Sequence, residues 1–282
     1  MTQGQKMEDK KKKLARQVAE LIEVLPPMPE NISRLMNADA ESPKTYSHVR
    51  NLIEIDPGLC SDLLHLASAL CRGRIETIDE AVERIGICAL VQFIGISFAR
   101  KTIAKEFSAI KCLDDYFEHS RDISLCCQFL ADFYDMPSHQ KEMYAVAGLI
   151  HDIGRLIILV ASNKKTVHLM GTSWDKMKSI VNDEKEILGL DHCEVGMQLC
   201  RKWNFAPILQ EIVLRHHTPL IDGDFSFAGG LIFIAHFVSF SDMTGAILST
   251  MLGPELLDRL HISMSNFTEA QRIFQSLPAK RR

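Results

Sequence analysis

Apolar residues recur at intervals of three and four along most of this chain, and that spacing predicts helices. From Lys11 to Leu25 the positions Leu14, Val18, Leu21, Ile22 and Leu25 share one face. Pro26, Pro27 and Pro29 then end the helix, because proline lacks the backbone donor and clashes with the preceding turn. The same spacing predicts helices from Glu30 to Asn37, Ser42 to Ile55, Gly58 to Leu70, Ile78 to Ile85 and Ala89 to Ala104. Asp56-Pro57 supplies a cap and a proline at the first helical position, and a turn containing Gly73 follows the fourth helix. Longer helices are predicted beyond a boundary between Glu106 and Asp114: Leu113 to Tyr134, Gln140 to Asp152, His192 to Trp203, Pro207 to His217 and Gly230 to Phe240. Two short helices and a loose basic tail, Lys280-Arg281-Arg282, complete the chain. Short alternating runs bounded by turn residues are scarce, so the fold class is all-α. The units read as an N-terminal helical subdomain over 14–108, a second helical unit over 109–245 and a C-terminal extension over 246–282.

Composition narrows the picture. Apolar residues make up 46% of the 282 positions and charged residues 24%, a globular rather than a disordered balance. The net charge of -4 gives no global reason to expect nucleic acid. The basic runs Lys10 to Lys13 and Lys280 to Arg282 read as solvated ends. The eight cysteines include the adjacent Cys126 and Cys127 and form no C-x-x-C pair, which points to reduced thiols and a cytoplasmic setting. The start has a basic run without a following apolar segment, so it does not read as a secretory signal. The apolar stretch from Ala228 to Phe240 is shorter than a membrane span requires and reads as a buried helix.

Candidate chemistry comes from the eleven histidines. His151-Asp152 stands at the end of an apolar helix, where two neighbours can turn toward one metal. Ala145, Ala147 and Gly148 lie one turn earlier and allow close approach, and Gly154 suits a chain reversal. His119 lies along its helix's apolar stripe, three after Tyr116 and four before Ile123. His192 opens a helix after Asp191, and His216, beside His217, stands four after Ile212. His236 lies within an apolar helix, where it must be hydrogen-bonded or coordinated. His48, His65, His139, His168 and His261 read as structural or surface residues. Five helices each present His or His-Asp at an inner face or end, which points to a shared site.

The order His119, His151-Asp152, His192, His216-His217 and a residue in a last apolar helix resembles the HD superfamily. A narrower resemblance is to the HDOD family. It is carried by Leu25-Pro26-Pro27-Met28-Pro29, Asp56-Pro57-Gly58-Leu59, Leu63 to Ser68, Ile78 to Gly86, Asp191-His192-Cys193-Glu194-Val195-Gly196, Trp203 and His216-His217. The resemblance implies an HD-domain-like helical bundle preceded by an N-terminal helical subdomain. It also implies one or two divalent metal ions (Fe, Mn, Zn, Ni or Mg) held by His119, His151, Asp152, His192, His216, His217 and His236, with Asp152 and Arg155 as catalytic candidates.

Three departures qualify it. His236 stands where the HD pattern has its last Asp, Arg155 replaces the lysine of HD-x-G-K, and Thr218-Pro219-Leu220 replaces a GYP motif. The implied function is therefore a bacterial signal-transduction protein acting through a signalling partner or a phosphorylated small-molecule ligand, without nucleic acid or membrane. The alternative is a metal-dependent phosphohydrolase acting on a nucleotide or other phosphoester.

Overall fold

The structure is a computed structural model that describes residues 3–36, 42–70, 74–106, 113–162, 177, 179–240 and 242–276. His168, the Gly73 turn, most of the expected boundary segment and the tail Lys280–Arg282 lie outside the described residues. The first helices are α1 (Gln3–Val24), α2 (Glu30–Met36), α3 (Pro43–Ile55), α4 (Pro57–Leu70), α5 (Ile78–Ile85) and α6 (Ile87–Glu106). Ser42 caps α3, and the Asp56 carboxylate accepts from the backbone N–H of Leu59 at 2.9 Å at the start of α4. Helices α2 to α5 each pack on α6.

The second group comprises α7 (Leu113–Phe133), α8 (Ser138–Gly148), α9 (Ile153–Ala161), α10 (Ile180–Leu188), α11 (His192–Lys202), α12 (Pro207–Arg215) and α13 (Phe227–Ser239). Helix α1 packs on α9, α10 and α11. Lys11 of its basic run lays its side-chain stem against Gly189, and indole Nε1 of Trp203 donates to the carbonyl of Pro26 at 3.0 Å. One apolar cluster thus runs from Leu14 in α1 to residues near the C-terminus.

The helix expected to run through Asp152 ends at Gly148 instead. Nδ1 of His151 donates to the Gly148 carbonyl at 2.8 Å and satisfies a helix-terminal acceptor. Gly148 itself presses on α7, where a Cβ would stand 2.6 Å from both Cα and N of Ser124. His151 and Asp152 therefore occupy a turn between two helices. Gly154 makes no chain reversal: it lies inside α9, where a Cβ would stand 1.9 Å from the His192 carbonyl oxygen and 2.5 Å from the Gly196 amide. Its role is to let α9 and α11 cross in near contact, which sets Asp152 beside His192.

Two elements absent from the sequence pattern follow α12. Strands β1 (Leu220–Ile221) and β2 (Asp224–Phe225) pair antiparallel about Asp222-Gly223, whose φ angles of 49° and 83° are those of a tight hairpin turn. After α13 come three helices rather than two: α14 (Gly245–Leu252), α15 (Pro254–Leu260) and α16 (Met264–Ser276). Helix α16 packs on α7 and α13. The segment Met143–Ala161 is long and apolar enough to cross a membrane by composition, yet 83% of it is buried, with the break at His151-Asp152 inside it. The apolar helix α13 is likewise buried from Ala228 to Val238.

Gly154→Ala is expected to destabilise the protein by about 3 kcal/mol, since the added methyl meets backbone on α11 and neither helix can move alone. Urea unfolding monitored by circular dichroism measures this, and an unchanged midpoint would contradict the close crossing.

Candidate metal centre

Asp152 is 1% exposed and stands at the centre of six imidazoles. His119 comes from the inner face of α7, His151 from the α8–α9 turn and His192 from the first position of α11. His216 and His217 follow the end of α12, and His236 lies inside α13. Two donor groups result, both using Asp152: His119, His151 and His236 on one side, and His192, His216 and His217 on the other.

The carboxylate divides between them. Asp152 Oδ2 lies 3.3 Å from His151 Nε2 and 3.6 Å from His119 Nε2, and His151 Nε2 lies 3.2 Å from His236 Nε2. Asp152 Oδ1 lies 3.2 Å from His192 Nε2 and 3.3 Å from His216 Nε2, which are 3.2 Å apart. Donors about 2.0 Å from a tetrahedral ion stand about 3.3 Å from each other. The separations match the edges of such a site on both sides of the carboxylate.

Hydrogen bonds behind the rings fix which nitrogen faces inward. Nδ1 of His151, His216 and His236 donates to the carbonyls of Gly148, Val213 and Ile232 at 2.8, 2.8 and 2.9 Å. Nδ1 of His192 donates to the buried Glu184 carboxylate at 2.6 Å, and the same oxygen accepts from the His192 backbone N–H at 2.8 Å. A carbonyl only accepts, so the Nε2 lone pairs point at the cluster, the usual arrangement of metal-bound histidines. Two bare lone pairs do not face each other stably at 3.2 Å; a proton or a cation must lie between them. His119 Nε2 and Asp152 Oδ1 are buried and have no hydrogen-bond partner. The donor set fits a divalent metal of the imidazole-binding type, such as Zn, Fe, Ni or Mn, better than Mg, which prefers oxygen.

Electrostatics differ between the two sides. Burial, helped by His151, pushes the His119 pKa down to about 3, and burial also holds His151 below and His236 well below the ordinary range. Those three rings are neutral and ready to donate. Burial opposes charge on His192 and His216 too, but the Cys193 sulfur in its thiolate form and the Glu184 and Asp152 carboxylates reverse the outcome. His192 stands well above its ordinary value and His216 at about 9. His217, buried beside them, stays well below. Burial works against the Asp152 charge, yet Arg155 and His151 hold it well below the usual carboxylate range. Arg155 Nε is 3.1 Å from Asp152 Oδ1, and its Nη2 is 3.5 Å from His217 Nε2.

All seven expected metal donors and Arg155 therefore come together. His48, His65 and His261 are exposed, apart from the cluster. Two neighbours escaped the sequence reading. Glu184 shares the inward face of α10 with Ile180, Val181 and Leu188, so an acid at an apolar position was the signal available. Cys193 lies with Sγ 3.5 Å from His192 Nε2 and 3.9 Å from His216 Nδ1. Cys60, Cys126, Cys127, Cys193 and Cys200 form no disulfide.

Fold and site together define an all-α protein with a buried His/Asp cluster able to bind metal. The HDOD domain matches residues 25–219, about two thirds of the chain, and the chain belongs to the HDOD family. An uncharacterized protein of Treponema pallidum (strain Nichols) is 24% identical over 217 residues, 73% of this chain. The chain spans 40% of that relative's length. A solved structure from Shewanella amazonensis SB2B, provisionally named a phosphohydrolase, matches with a TM-score of 0.63 at 21% identity, covering 93% of this chain and 98% of its own. Another from Marinobacter aquaeolei VT8, provisionally named a signal transduction protein, matches with a TM-score of 0.61 at 18% identity, covering 94% and 64%. At these identities the likeness is one of fold.

Metal added stepwise is expected to separate the two sides. A first equivalent held by the neutral His119, His151 and His236 changes little with pH across the neutral range. A second equivalent at His192 and His216 displaces protons, so its affinity rises as pH rises toward about 9 and falls as pH is lowered. Calorimetry in buffers of different ionisation enthalpy reads the protons released. Glu184→Gln keeps the acceptor but removes its charge and is expected to weaken only the second equivalent, about tenfold; equal weakening of both would refute the assignment.

Proposed function

We propose that this chain is a regulatory module of bacterial signal transduction whose HD-type site holds divalent metal and which acts by binding a partner protein or a ligand. The observation that carries this reading is the near-enclosure of the site. His151, Asp152, His192, His216, His217 and His236 are each 3% exposed or less, His119 is partly exposed, and each side of Asp152 already has four protein donors. Closed four-donor sites serve structure, whereas catalytic sites keep an open position for water or substrate. Charge favours one tightly bound ion, because Asp152 is the sole carboxylate among the direct donors and Arg155 already lies against one of its oxygens. Bound there, the ion would cross-link α7, the α8–α9 turn and α13 through His119, His151, Asp152 and His236.

The second reading, a metal-dependent phosphohydrolase acting on a nucleotide or other phosphoester, has one observation of its own. Two donor groups sharing a carboxylate are the arrangement by which a pair of ions activates water against a phosphoester. Arg155 would then steady negative charge beside Asp152.

Elemental analysis of the purified chain beside a His151→Ala, Asp152→Ala variant tests the metal reading. The expected result is about one metal per chain, lost in the variant while helicity is kept. The metal-loaded protein is expected to cleave none of a panel of nucleotides and simple phosphoesters. Turnover abolished by Asp152→Ala would transfer the site to the hydrolase reading, and absence of metal from a well-folded wild type would sink both.

A further inference from the structure

A cavity of about 450 Å³, within the range of small-molecule sites, lies between α11, α12 and the β1–β2 hairpin. Its apolar wall is Met197 of α11, Leu214 of α12 and Phe225 of β2, each half-buried. Four charged side chains join them, and two of these cancel. Arg215 donates from Nη1 to the Asp224 carboxylate at 2.9 Å, and its other nitrogens donate to the carbonyls of Thr218, Pro219 and Asp224.

Arg201 and Glu211 are left over. Arg201 stands one turn after Met197 on α11, exposed, and no carboxylate pairs with it among the described residues. Glu211 is exposed on α12, and no basic side chain pairs with it there either. Its Oε1 accepts from the hydroxyl of Ser226, another residue of the wall, which sets the carboxylate at the cavity. Two unpaired charges of opposite sign therefore border one partly apolar space.

We infer that this cavity binds a small zwitterion with an apolar body, of the chemical class of the free apolar α-amino acids. The ligand carboxylate meets the planar guanidinium of Arg201, which can grip both oxygens, and the ammonium meets the remaining oxygen of Glu211. The ligand side chain covers Met197, Leu214 and Phe225. A phosphoester would gain Arg201 but meet Glu211 and Asp224 with like charge, so the lining selects against it. This deepens the ligand-binding role proposed above and rests on it. The bound zwitterion would tie α11, which carries His192, to α12, which leads into His216. Ser226, bonded to Glu211, also caps α13 by accepting from the Gly229 N–H at 2.9 Å, so the helix of His236 starts at the same wall.

Phenylalanine, 3-phenylpropanoate and phenethylamine share one ring and differ in the charges they carry, and ligand-observed NMR on the full chain compares them. Phenylalanine is expected to bind with a Kd on the order of millimolar, as suits a fragment of this size. Each singly charged analogue is expected to bind about fivefold more weakly, the loss of one exposed ion pair. Arg201→Gln should erase the preference for phenylalanine over phenethylamine and keep that over 3-phenylpropanoate. Glu211→Gln, which retains an acceptor for Ser226, should do the reverse. Both positions are exposed, and the ranking of the three probes on the wild type keeps the test decisive if a variant does not fold. No binding of phenylalanine, equal binding of the three probes, or preferences unchanged in folded variants would each overturn the proposal. Phenylalanine binding beside turnover of phosphoesters would uphold this site and remove the regulatory reading alone.

Discussion

One carboxylate buried among six imidazoles is the constraint on which the rest of this structure depends. Asp152 is 1% exposed, and an isolated charge so placed would be costly. Arg155 and the imidazoles around it remove that cost. On one side of the carboxylate the pair His192 and His216 is pushed toward holding a proton, and on the other burial keeps His119, His151 and His236 neutral. The facing Nε2 atoms of His151 and His236, 3.2 Å apart, are thus left without a proton between them. That contact is comfortable only with a cation present, and it ties the chemistry of the centre to the stability of the three segments that meet there.

Holding seven side chains in such register requires the backbones to come unusually close. Gly148 lets α8 rest on the backbone of α7, Gly154 lets α9 rest on α11, and Gly229 lets α13 rest on Arg215, where a Cβ would stand 2.8 Å from the carbonyl oxygen. Each contact lies within six residues of a cluster donor in sequence. The hydrogen bonds behind the rings complete the work, since three of the four anchoring acceptors are backbone carbonyls at the ends or within the helices themselves. Secondary structure and site are therefore one construction: the carbonyl that would continue α8 is the one that orients His151.

The helices and the histidines were largely legible because both follow from periodicity. The stripe containing Tyr116, His119 and Ile123 and the stripe ending at His216 gave the inward direction before any packing was known. What stayed hidden depends on contacts between segments distant in sequence. Gly154 resembles any turn glycine until α11 is laid across it. Glu184 resembles a surface acid on a mixed helix until the start of α11 folds back to it across Gly189. The docking of α1 on α9 to α11 was open, because an amphipathic helix specifies an apolar partner without naming which. The hairpin at Asp222-Gly223 escaped because its strands are two residues each, too short for alternation to register. The largely apolar run from Met143 to Ala161 concealed the break at His151-Asp152, where a side chain accompanies the helix end.

The replacement of a carboxylate by His236 ties these features to the kind of function the site can support. Two divalent ions would bring four positive charges to a centre whose direct donors include one carboxylate, with Arg155 adding another positive charge 3.1 Å from it. Such an excess in a buried site opposes double occupancy unless anions arrive with the second ion. The second side can instead hold a proton between the facing Nε2 atoms of His192 and His216, favoured by the Cys193 sulfur, by Glu184 behind the His192 ring and by Asp152 in front. In this arrangement Arg155 and that proton would offset the charge at Asp152 Oδ1 as an ion would at Oδ2. A centre holding one ion and one shared proton would be poorly disposed to generate a hydroxide nucleophile between two ions. A single ion there would lock α7, the α8–α9 turn and α13 together. The replacement at His236 therefore leaves the donors in place and alters the charge they carry.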